Sequence, residues 1–173
     1  ATSFPKPPQV TEAMIHYMSR VGANPGRSGH QLSLEAARIV QQTRESLATL
    51  FNISDPARVV FTLNVTEALN TVIYGFLDPG DHVIMSAMEH NSVLRPLKYL
   101  EELDIIALTI APCDRKGCLD TDALPKLVQR NTKLMVLNHA SNVCGTIQDV
   151  GAVKAAIGNT PLLLDSAQTA GCY

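Results

Sequence analysis

The feature that most constrains this chain is Leu162-Leu163-Leu164-Asp165, an apolar run that stops abruptly at a carboxylate, with the Gln168 amide three residues further on. Pro161 bounds the run on one side and Gly171 closes the segment on the other. A short leucine run between such breakers reads as a strand buried on both faces, as in a parallel sheet covered by helices. Asp165 then stands at the strand's carboxyl end. In open α/β sheets that edge borders the crevice where ligands bind, so a carboxylate there is placed to meet a ligand.

Composition narrows the classes. With 173 residues, 46% of them hydrophobic and 17% charged, the chain can bury the core of one compact globular domain. A net charge of -2 and the lack of a long basic cluster argue against nucleic acid as a partner. No apolar run approaches the roughly 20 residues of a spanning helix, so no membrane partner is expected. The four cysteines, Cys113, Cys118, Cys144 and Cys172, form neither C-x-x-C pairs nor a disulfide-dense pattern. They read as free thiols of a reducing compartment, the cytoplasm, with no metal site. No signal peptide is expected from these residues; the chain starts at Ala1 without methionine and stops at Tyr173, just past the leucine strand, which predicts that both ends are cut from something longer.

In chain order, Ala1 to Pro8 carries three prolines and reads as an irregular arm. Val10, Met14, Ile15 and Met18 recur at helical spacing, predicting a short helix over about Thr11 to Arg20, with both methionines in the core. Residues 1–20 are thus an arm and helix preceding a larger domain over 21–173. Asn24 to His30 is a loop on its turn residues, and it holds Arg27 and His30, two side chains able to bind an anion. Ser33 is the expected N-cap of a long helix to about Phe51, burying Ala36, Ile39, Val40, Leu47 and Leu50.

Arg58 to Thr62 reads as a strand, followed by a capping box at Asn64 and Glu67 and a helix through Phe76. Further strands are expected at His82 to Ala87, Ile105 to Ala111 and Leu134 to Leu137. Helices are expected up to about Leu103, over Asp120 to Gln129, and over Val150 to Ile157. This alternation predicts a three-layer α/β/α domain with a mainly parallel sheet.

Four of these strands break into polar clusters at their carboxyl ends: Asn64 and Thr66, Glu89 and His90, Ser141 and Asn142, Asp165 and Gln168. Segments far apart in sequence thereby deliver polar groups to one edge, which favours a shared pocket. The helix beginning near Thr66 offers free backbone N–H groups and a hydroxyl to a phosphate. Asp165 can hold a ring nitrogen protonated, His90 can stack on a flat ring, and Asn142 and Gln168 can reach a phenolic oxygen. Phosphate, ring nitrogen and ring hydroxyl together describe pyridoxal 5'-phosphate.

In order and spacing, Phe61-Thr62-Leu63-Asn64-Val65-Thr66-Glu67-Ala68-Leu69-Asn70, Met88-Glu89-His90-Asn91-Ser92, Ser141-Asn142-Val143-Cys144-Gly145-Thr146 and Asp165-Ser166-Ala167-Gln168 resemble the cysteine desulfurase family within the class V aminotransferases. The segments Ala1 to Pro7 and Asn24 to His30 are similar too, so the resemblance spans the chain. It implies the large domain of a fold-type I enzyme that uses pyridoxal phosphate to convert L-cysteine to L-alanine, leaving the sulfur as a persulfide on an enzyme cysteine. It further implies a homodimer and a sulfur-acceptor protein.

Carried over by motif, Val65 (through its N–H) and Thr66 bind the cofactor phosphate. His90 stacks on the ring and acts in catalysis, Asn142 and Gln168 contact the phenolic side, and Asp165 pairs with the pyridine nitrogen. His30, with Arg27, lies at the substrate mouth. Where the family commonly has Gly-Thr, this chain has Asn64-Val65, so one hydroxyl contact to the phosphate is expected to be missing. The family's Schiff-base lysine, persulfide cysteine and carboxylate-binding arginine all fall downstream of Gln168, so the chain alone is expected not to turn over. Selenocysteine lyase, kynureninase and a non-catalytic fragment are the alternative readings.

Overall fold

A computed structural model of the protein describes residues 5–26 and 29–172. It forms two compact units divided between Phe61 and Thr62.

The first unit holds α1 (Pro8–His16), which continues through one wide helical turn over Tyr17–Val21, and α2 (Gln31–Leu50). Two expectations fail here. α1 contains no buried residue, and Met14 and Met18 are 54% and 68% exposed rather than core. α2 buries Ser33, Ala36 and Ala48, while Ile39 and Leu50 face outward. Helical periodicity marks which residues share a face, but burial needs a second surface packed on that face. The cap of α2 is His30, whose Nδ1 accepts from the Ser33 N–H at 3.2 Å; Ser33 sits inside the helix and donates its hydroxyl to Asn24 O.

The expected strand at Arg58 to Thr62 does not form. Pro56–Arg58 make a turn of 3-10 helix, and the chain then runs on unpaired, leaving Val60 and Leu63 73% and 89% exposed. Branched and aromatic residues favour a strand only where a neighbouring strand accepts their backbone groups and packs their side chains.

The second unit is built on α3 (Val65–Phe76), β1 (His82–Ser86), α4 (Asn91–Glu102), β2 (Ala107–Ala111), α5 (Leu124–Leu127), β3 (Thr132–Asn138), α6 (Val150–Ile157) and β4 (Leu162–Asp165). The four strands form one parallel sheet in the order β2-β1-β3-β4. Alternation along each central strand divides the core. Val83 and Met85 of β1, with Leu134 and Val136 of β3, pack against Leu69 and Ile73 of α3 and Val93 and Leu97 of α4. Ile84, Met135 and Leu137 face the other way and pack with Leu124 of α5 and Val153 and Ile157 of α6. Helices thus cover both faces, as the three-layer reading requires.

Departures from the expected spans have local causes. β2 starts at Ala107 because Asp104 takes φ 54° and Ile105 still donates to Leu100 O, finishing the turn that closes α4. α5 is only four residues long because the Asp120 carboxylate captures the N–H groups of Asp122 and Ala123, competing with helical pairing. β4 is an edge strand, so Leu162 to Leu164 are half-buried rather than enclosed on both faces.

At the amino end of the sheet, His82 is fully buried and bridges three strands: Nδ1 lies 2.8 Å from Thr132 Oγ1 and Nε2 2.8 Å from Thr109 Oγ1. Burial pushes its pKa below the ordinary 6.5. A base held neutral in the fold contributes stability that is fully present above the unfolded-chain value of 6.5 and is lost as pH falls toward the lowered folded value. Between pH 6.5 and about 5, His82→Gln should therefore lose less of its urea-unfolding free energy than the wild type. Equal slopes for the two proteins would refute this account of His82.

Candidate functional site

The connections of the sheet diverge at its centre. β1 leads through α4 to β2 on one side, whereas β3 leads through α6 to β4 on the other. Adjacent strands whose crossovers leave in opposite directions open a crevice at their carboxyl ends. A cleft of about 250 Å³ lies in that position, lined by Val65, His90, Asn138, Ala140, Asn142, Asp165, Ala167 and Gln168. Thr66 borders an adjoining depression that shares His90 and includes Asn70, Ser92 and Arg95.

Each polar group arrives by a local device. Asn64 caps α3, its Oδ1 accepting from the Glu67 N–H at 3.0 Å, while Glu67 Oε2 accepts from the Leu63 N–H at 2.6 Å. The Asn64 half of the expected capping box forms, while Glu67 reaches the N–H one residue before the cap; the N–H groups of Val65 and Thr66, the first two of the helix, are left without intrahelical acceptors. His90 caps α4: its Nδ1 accepts from the Ser92 N–H at 3.1 Å and lies 2.8 Å from Ser92 Oγ. The neutral imidazole therefore carries its proton on Nε2, and the ring plane is held by the cap.

Asp165, the last residue of β4, is 4% exposed, and its Oδ1 accepts from the Ala167 N–H at 3.0 Å. It pairs in register with Asn138 at the end of β3. The loop after β3 is fixed from below by Gln148, which accepts from the Leu119 N–H and donates to Gly117 O. Gly117, at φ +81°, lets the chain pass beside Met88 and Cys144, where a Cβ would meet their side chains at 3.1 and 3.2 Å. Hydrogen bonds from Ser141 and Thr146 pull the exposed Cys144 thiol down to about 7, whereas burial pushes Cys113 up.

Five residues singled out from the sequence, Val65, His90, Asn142, Asp165 and Gln168, meet in one cleft, and Thr66 adjoins it. His30 belongs to the other unit as the cap of α2, and Arg27 lies outside the described residues. The sequence reading missed Asn138, Ala140 and Ala167 as lining groups, and it named Glu89 only as a member of a polar cluster. Asn138 was legible only as the end of a strand run. Its position beside Asp165 depends on register, which one sequence does not display.

Among the described residues no group of His, Cys, Asp and Glu could hold a metal ion, and no helix is long and apolar enough to cross a membrane.

A parallel α/β sheet with a polar cleft at its central switch point places this chain in the class of open-sheet α/β proteins. Residues 1–172 match the aminotransferase class-V family, and the chain belongs to it. A probable cysteine desulfurase of Methanothermobacter thermautotrophicus is 34% identical over 175 residues, covering 99% of this chain and 43% of the relative. The apo structure of a cysteine desulfurase from Thermococcus onnurineus NA1 superposes with a TM-score of 0.88 at 30% identity, over 96% of this chain and 42% of that one. A structure of SspA in complex with cysteine gives a TM-score of 0.87 at 26% identity, over 96% and 49%. The chain spans less than half the length of these relatives.

Because the Asn64 side chain caps the helix that borders the cleft, Asn64→Ala should destabilise the protein by about 1 kcal/mol in urea unfolding, with Asn64→Asp close to wild type. An alanine variant as stable as the wild type would show that the cap contributes nothing.

Proposed function

We propose that this chain forms part of the pyridoxal-phosphate-binding domain of a cysteine desulfurase that converts L-cysteine to L-alanine and passes the sulfur to an enzyme cysteine. The observation that carries this reading is the convergence of Val65, His90, Asn142, Asp165 and Gln168 from four separate segments on one cleft at the sheet's carboxyl edge. The curated relatives named as cysteine desulfurases, and the cysteine bound in the SspA structure, support the choice of chemistry.

The residues present fit the cofactor. The free N–H groups of Val65 and Thr66, with the Thr66 hydroxyl, suit a phosphate at a helix N-terminus. Asp165 is nearly buried and has one hydrogen bond, on Oδ1, so its Oδ2 suits a pyridine N–H. Asn142 and Gln168 supply amides for the phenolic side, and His90 presents a ring whose plane its cap controls. When bound, the cofactor supplies an electron-withdrawing ring that acidifies the substrate's α-carbon.

The chain's own residues do the remaining work. Asp165 holds a proton on the ring nitrogen and so keeps the ring accepting. His90 covers the ring against water and, with Nδ1 accepting from the Ser92 N–H, presents Nε2–H to the cleft as a donor. A homodimer and a sulfur-acceptor protein complete the reading, with the cytoplasm as its setting.

In the full-length protein, Asp165→Asn should lower cysteine turnover by on the order of 100-fold or more while the cofactor remains bound. Turnover close to wild type would overturn the role of Asp165. His90→Ala should weaken cofactor retention in equilibrium dialysis by about tenfold, the worth of one good ring contact. Unchanged retention would remove His90 from the ring face. Turnover of selenocysteine or kynurenine in preference to cysteine would move the assignment to another class V reaction.

A further inference from the structure

Glu89 stands between the strand ends that form the cleft floor, and its two carboxyl oxygens are treated unequally. Oε1 accepts from Ser86 Oγ at 2.6 Å and from the Asn138 N–H at 2.7 Å, tying the end of β1 to the end of β3. Asn138 answers by donating its Nδ2 to Met88 O at 3.2 Å. Oε2 is buried and has no hydrogen-bond partner. Burying an unpartnered oxygen costs far more when the carboxyl carries a charge than when it is neutral, so the bare Oε2 favours the protonated acid.

Among the described residues no ion pair compensates a charge on Glu89. The titratable groups that face Glu89 are Asp165 at the end of β4 and Cys113 in the segment after β2, both acids. The ion pairs among the described residues, His16–Glu35, Lys98–Glu101 and Lys133–Asp78, do not include it. His90, the next residue in the chain, has its Nδ1 engaged by Ser92.

We propose that Glu89 is a proton-holding carboxyl of the site, a positioning residue that joins β1 to β3 and, in its neutral form, spares Asp165 a second negative charge. Burial pushes its pKa up to about 7; Asp165 adds to the rise, and the hydrogen bonds from Ser86 and Asn138 oppose it. Two carboxyls at one edge are thus made chemically distinct by their environments. Above pH 7 Glu89 ionises and places a second negative charge next to Asp165. An anionic ligand should then bind less tightly. This last consequence rests on the pyridoxal phosphate reading; the protonation of Glu89 does not.

The test uses the full-length protein labelled with ¹³C-glutamate and free of cofactor, following the Glu89 carboxyl carbon by NMR and assigning it through its own side-chain correlations. A titration midpoint near 7 supports the proposal, and a midpoint near the ordinary 4.5 overturns it. In parallel, the dissociation constant for pyridoxal phosphate is measured from pH 6.5 to 8.5 for the wild type and Glu89→Gln. The wild type should weaken by roughly threefold or more relative to the variant across that range. Parallel profiles would overturn the electrostatic role. A midpoint near 7 in a protein that binds no pyridoxal phosphate at any pH would uphold the neutral acid and sink the cofactor assignment instead.

Discussion

The parallel pairing of β3 with β1 on one side and β4 on the other is the constraint on which the site depends. Hydrogen bonding in parallel register brings Asn138 level with Asp165 and sets Val136 beside Met85. The carboxyl ends of three strands consequently arrive at one level. Because β1 and β3 send their crossovers in opposite directions, no connection passes over their ends, and a crevice opens between them. A shift of one residue in the β3–β4 register would turn Asp165 to the other face of the sheet.

That register is held by apolar packing on two faces. The α3 and α4 helices press on one and α5 and α6 on the other, so slippage of β1 or β3 would exchange two buried sets of side chains at once. The polar network at the carboxyl edge is tolerated because nearly every member has a partner: Ser86 with Glu89, Glu89 with Asn138, Asn138 with Met88, and His139 with Thr169. The buried Glu89 Oε2 is the exception, and a proton there removes the larger cost of burying a charge with no partner.

Helix capping performs a second duty. His90 and Asn64 both close helix N-termini, and both point those termini toward the cleft region. One side chain thereby satisfies an otherwise orphaned N–H and fixes where a functional group stands. The histidine at position 90 is a cap first, and the tautomer available for chemistry follows from the cap.

Much of this could be read from the residues in order. The leucine run ending in Asp165, the helix cap at Asn64, and the polar breaks after β1 and β3 each follow from local physics: periodicity, turn chemistry and the needs of unpaired backbone groups. The helix at Val150–Ile157 has the bounds its pattern predicts. What sequence could not supply was the company each segment keeps. Among the described residues Arg58 to Thr62, despite its strand composition, pairs with no strand, and Met14 and Met18, despite their helical spacing, stay exposed. Strand order, the switch point between β1 and β3, and the meeting of Glu89 with Asn138 and Asp165 were decided by tertiary structure alone. They depend on pairing between residues distant along the chain, and local propensity carries no record of that pairing.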